Sequence, residues 1–113
     1  MDERLASFEA FWPYYVAQHS DPVNRALHFI GTSLALATLA ASATLTPWWA
    51  LAVPLAGYGP AWVGHFFFEQ NKPATFRYPV WSLRGDLRMY ALLWLNRMDP
   101  ELERARALYP RGA

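Results

Sequence analysis

No Asp, Glu, Lys or Arg occurs from residue 26 to residue 68, a charge-free run of 43 positions in a chain of 113. With 17% of residues charged overall, a uniform distribution would leave such a gap with a chance on the order of 3 in 10,000, so the charges are segregated. The remaining 70 positions hold all 19 charges, a share normal for water-facing protein. One bilayer crossing needs roughly 20 apolar residues, and a run of this length therefore fits two crossings joined by a tight turn. The expected fold is all-α: a membrane helical hairpin of two spans with flanking amphipathic or interfacial helices, forming a single domain over residues 1–113.

Leu5, Phe8, Phe11, Trp12 and Tyr15 recur at helical spacing within residues 3–18. They predict a short amphipathic helix, bent or broken at Pro13, with its aromatic residues at headgroup level. Asp21-Pro22 has the order of a helix cap followed by proline at the first helical position, so a helix is expected from there to about Thr46. Its uncharged part, Phe29 to Thr46, measures about 27 Å and can span. Asn24, His28, Gly31, Ala35, Thr38 and Ser42 follow one another at three- and four-residue steps and form a small or polar stripe on which a second helix can pack closely. Trp48 to Phe68 contains Pro54, Gly57, Gly59 and Pro60, and is expected to be a kinked span or two half-helices, the second starting at Pro60. Ser82 is expected to cap a helix to about Met98, with Leu87, Tyr90, Ala91, Trp94, Leu95 and Met98 as its apolar face, and a short charged helix covers Glu101 to Leu108. Whether residues 87–98 cross the bilayer or lie on it stays open. No apolar run precedes Phe8, so nothing resembles a cleavable secretory signal. Arg4 and Arg25 precede the hairpin, and Lys72, Arg77, Arg84, Arg88 and Arg97 follow it; the positive-inside rule then puts both termini in the cytoplasm.

The absence of cysteine removes disulfides, thiolate metal sites and a thiol nucleophile together. A net charge of +1, with no basic stripe beside the aromatic residues, gives no case for nucleic acid. Three histidines remain, all bordering the charge-free run. Counted from a turn centred between Thr46 and Pro47, His28 and His65 are each 18.5 residues away, which places them at one depth on antiparallel helices, about 28 Å from the turn. Asn24 and Glu69 are level by the same count. His65 and Glu69 share a helix face, and a loop at His19-Ser20-Asp21 can fold His19 over the same place. Imidazole and carboxylate without thiolate suit iron, manganese or zinc with open positions. The plainer alternative is that the histidines bond carbonyls at helix ends and Glu69 marks the end of a span, in a non-enzymatic membrane protein whose small-residue stripe docks a partner helix. Asp86 is either favourable charge near a helix start or a group that orients a ligand. Serine-hydrolase, zinc-protease and nucleotide-loop motifs are absent, and three histidines are too few for a histidine-box di-iron enzyme.

Tyr14 to Gly31, with His19, Asn24, His28 and Gly31, resembles the membrane-bound 2-hydroxy fatty acid dioxygenase family of fungi and its short bacterial relatives. So does Gly64 to Thr75, reading G-H-F-F-F-E-Q-N-K-P-A-T. Tyr78 to Asp86 is similar to the bacterial members, and together these segments cover most of residues 8–98. The resemblance implies an iron(II)-dependent, membrane-embedded enzyme of fatty acid α-oxidation in the bacterial inner membrane. It would act on a 2-hydroxy fatty acid and dioxygen, with membrane lipid around it and homo-oligomerisation left open. His19, His28 and His65 match the metal ligands, with Glu69 as a further catalytic candidate. On that reading Lys72 or Arg77 would steer the substrate carboxylate, and Asn24, Asn71 and Asp86 would orient the ligands.

Overall fold

The computed structural model describes residues 4–110, and among them the chain is helical without strands. Five α-helices occur: α1 Phe8–Ala17, α2 Pro22–Thr44, α3 Val53–Val63, α4 Pro79–Trp94 and α5 Asp99–Leu108. They fall into two compact units, one made by residues 4–20 together with residues 73–110, the other by Asp21–Lys72.

The second unit is the hairpin. Asp21 caps α2, its carboxylate accepting from the N–H groups of Val23 and Asn24, and Pro22 occupies the first turn, so the expected start holds. α2 packs along α3 through its stripe of small residues: Asn24, His28 and Gly31 are buried, while Leu34, Leu36 and Leu39 point outward. The return arm runs as a 3-10 helix (Pro47–Ala52), then α3, then a π-helix (Gly64–Glu69). Pro60 lies inside α3 rather than opening a second half-helix, a correction to the sequence expectation. Only α2 is a single helix long and apolar enough to cross a membrane, so two full crossings are more than the described residues support. The return arm divides its length among three helical geometries, and no one of them reaches spanning length.

In the other unit α1 packs against α4 and α5. Phe8, Phe11, Trp12, Tyr15 and Val16 are buried together with Tyr78, Met89, Met98 and Leu102. The aromatic face of α1 is therefore core, not a headgroup belt, because α4 and α5 supply apolar partners that the residues of α1 alone do not reveal. The Trp12 indole N–H donates to Glu101 of α5 at 2.7 Å. α1 begins after a Ser7 cap and runs through Pro13 without a break; the packing of aromatic residues on both sides of the proline offsets its missing hydrogen bond. α4 starts at Pro79, three residues before the expected Ser82 cap. Ser82 is buried and its hydroxyl bonds that of Thr75 at 3.0 Å.

Candidate metal centre

Each histidine is built into its place by its own local structure. In the hairpin unit, His28 follows Asn24 by one helical turn, and its Nδ1 donates to the Asn24 carbonyl at 3.0 Å. His65 stands on the π-helix, a wide turn that recurs at functional sites. The segment ends at Gln70, whose φ of 60° is left-handed, and the His65 carbonyl accepts from the N–H groups of both Gln70 and Asn71. That closure brings the Asn71 side chain around, and its Oδ1 accepts from His65 Nδ1 at 2.7 Å. The two imidazoles meet edge to face with ring centroids 4.8 Å apart. Equal spacing from the turn had put them level, and they are neighbours.

Glu69 fastens the same unit, its carboxylate accepting from the backbone N–H of Asp21 just before α2. Asp21, not Asn24, is thus its neighbour across the hairpin. Asn24 lies instead against Gly64, where a β-carbon would collide with its side chain. The register has slid by about one turn because the 3-10 and π stretches rise differently from an α-helix. Lys72 is exposed.

In the α1 unit, His19 lies just past the end of α1. Its ring stacks on Tyr15 at 4.1 Å between centroids, and its Nδ1 donates to the Tyr15 carbonyl at 2.6 Å, which also accepts from the Gln18 N–H at 3.1 Å in the last turn of the helix. Tyr15 is fully buried, and its hydroxyl donates to Asp86 of α4 at 2.5 Å. Gly85 allows this approach, since a β-carbon there would lie 3.1 Å from the Tyr15 ring. Sequence reasoning did not single out Tyr15, although it stands four residues before His19, one turn away on the same face. Arg77 leans over the Tyr78 ring at 5.5 Å, and its carbonyl accepts from Arg4 at 3.0 Å.

Burial raises the Tyr15 hydroxyl well above its ordinary value, and the Asp86 charge adds to the effect. Asp86 is pushed up to about 6 by burial, against the opposing pull of the Tyr15 hydroxyl. A folded-state value above the unfolded 3.8 stabilises the protein fully below pH 4, and the contribution is lost as pH rises through 6. Thermal unfolding of the metal-free chain in detergent is therefore expected to show stability falling between about pH 4 and pH 7, on the order of 1–2 kcal/mol after discounting for solvent near the carboxyl. In Asp86→Asn this component of the slope should vanish; an unchanged slope would mean that another group causes it.

All three histidines are buried and, as a group, could hold a metal ion. The donor chemistry fits one. In every case an oxygen acceptor makes Nδ1 the protonated nitrogen and leaves the lone pair on Nε2, as in protein metal sites where the second ring nitrogen fixes the ligand's tautomer and orientation. The model for the 2-hydroxy-palmitic acid dioxygenase Mpo1-like family matches residues 5–98. The chain belongs to the Mpo1-like family. No curated protein and no solved structure matches it significantly. The Mpo1-like match begins before α1, ends just before α5 and takes in all three histidines, Tyr15, Asn71 and Asp86.

Proposed function

We propose that this chain is an iron(II)-dependent dioxygenase that shortens 2-hydroxy fatty acids by one carbon: R-CH(OH)-COOH + O2 → R-COOH + CO2 + H2O. The equation balances with all four electrons drawn from the substrate, so no nicotinamide or 2-oxo acid is consumed. One observation carries the reading: three buried imidazoles in a chain without cysteine each have Nδ1 committed to an oxygen, and as a group they could hold one metal ion. The family's name supplies the substrate class.

His19, His28 and His65 hold the ion. Bound there, iron(II) supplies redox chemistry with dioxygen and a Lewis-acidic anchor for oxygen ligands, in a ligand set that leaves coordination positions open. Asn71 and the carbonyls of Asn24 and Tyr15 hold the imidazole planes, and Asp86 holds Tyr15. Glu69 keeps the entry to α2 closed on the π-helix through Asp21. Lys72 and Arg77 are the cations that take the substrate carboxylate, and the exposed Phe66, Phe67 and Phe68 offer the acyl chain an apolar edge continuous with lipid. The protein sits in the inner membrane through the hairpin of α2 and its return arm, which enters and leaves on one side and keeps both termini cytoplasmic.

The experiment is anaerobic loading of the detergent-purified chain with iron(II), followed by air and 2-hydroxypalmitate, with mass spectrometry of the products. The expected result is pentadecanoate and carbon dioxide in equal amounts, lost after chelation and restored by iron(II) but not by zinc. Turnover with zinc, or a product of another mass, would replace this reaction with a hydrolysis or a different oxygenation.

A further inference from the structure

The outer face of α4 is apolar and exposed. Its inner face is spent on the unit's core, where Ser82, Gly85 and Met89 are buried. Val80, Leu83, Leu87 and Trp94 recur at three-, four- and seven-residue steps on the opposite side and are 77%, 54%, 51% and 65% exposed. Arg84 and Arg88 flank this stripe one turn apart. Their guanidinium groups sit over the rings of Phe8 at 4.0 Å and Trp12 at 4.6 Å, and both residues stay exposed, within reach of headgroups at the edge of the helix. From Lys72 to Arg97 the chain carries five basic residues and one acidic residue, and that one, Asp86, is engaged by the Tyr15 hydroxyl. At 16 residues α4 is about 24 Å long, and with three charges it is too short and too polar to cross. An apolar stripe edged by arginine alone complements acyl chains beneath anionic headgroups.

We propose that α4 lies in the plane of an anionic membrane leaflet, with Val80, Leu83, Leu87 and Trp94 among the acyl chains and Arg84 and Arg88 on headgroup phosphates. The proposal rests on the membrane part of the functional reading and not on the metal.

Because the chain has no cysteine, single spin labels can be placed in the full-length protein without further changes. Leu83→Cys, Leu87→Cys and Glu103→Cys report on α4 and α5, and Leu36→Cys reports on α2. The labelled chains are reconstituted into nanodiscs of phosphatidylcholine, with or without phosphatidylglycerol. At Leu83 and Leu87 the ratio of oxygen accessibility to that of a water-soluble nickel complex is expected to exceed the Glu103 value by about fivefold or more in the anionic discs. It should fall in pure phosphatidylcholine, and Arg84→Gln/Arg88→Gln should abolish the difference between the two lipids. Water-like accessibility at 83 and 87 with a lipid-like label at 36 overturns this proposal alone, whereas a water-like label at 36 overturns the membrane reading itself. Dipolar broadening between labels on α4 would assign the face to a second copy and overturn it, as would equal immersion in both lipids.

Discussion

Replacing His28 with alanine is expected to lower bound iron from one equivalent to less than about a tenth, and to reduce turnover of 2-hydroxypalmitate by about 10³-fold or more. His19→Ala and His65→Ala should do the same, because a site with three protein ligands loses both affinity and geometry when one goes. Circular dichroism separates this from unfolding, since the helix content of α2 does not depend on one imidazole in its second turn. Asn71→Ala gives a graded result: the ligand set remains, but His65 loses the acceptor that fixes its ring at 2.7 Å. Losses on the order of 10- to 100-fold in metal affinity follow removal of such a partner. Full iron retention in any single histidine variant would remove that residue from the site, and retention in all three would return the histidines to a structural role.

Part of this site was legible because a helix converts spacing into distance. The Asp21-Pro22 start of α2 follows from side-chain chemistry at a helix end, and the structure repeats it. Equal offsets of His28 and His65 from the turn brought two imidazoles together, since an error of one turn still leaves such rings within reach. That error is real: Glu69 meets Asp21 rather than Asn24. The π-helix under His65 had no signature, because widening a turn depends on what the surrounding helices demand, not on the residues Gly64–Glu69 themselves. Ser82 looked like a cap, but Pro79 starts the helix earlier and the Ser82 hydroxyl is used inside the unit. The aromatic spacing of α1 was read correctly as helical, while its destination was not. Phe11 and Trp12 suit an interface or a core equally well, and only the arrival of α4 and α5, far along the chain, decides between them.

The small-residue seam should respond to one added methyl according to what that methyl meets. At Gly31 a β-carbon would stand 2.6 Å from the carbonyl oxygen of Gly57, a backbone atom of α3 that cannot turn aside. At Gly57 the nearest atom is the Ala35 β-carbon at 3.4 Å, an ordinary contact. Gly31→Ala must therefore push α2 and α3 apart, at an expected cost of about 2–4 kcal/mol, whereas Gly57→Ala should stay within about 1 kcal/mol of the wild type and gain from helix propensity. Gly64→Ala belongs with Gly31, because its β-carbon would overlap the Asn24 side chain and Asn24 Cα lies 3.1 Å away. It differs in reach: Asn24 supplies the carbonyl that holds His28, and Gly64 adjoins His65, so Gly64→Ala should weaken metal binding as well as folding. Chemical denaturation of the three variants in one detergent, with iron content measured in parallel, checks the order. If Gly57→Ala costs as much as Gly31→Ala, α2 and α3 do not meet through these glycines, and the approach that makes His28 and His65 neighbours has another cause.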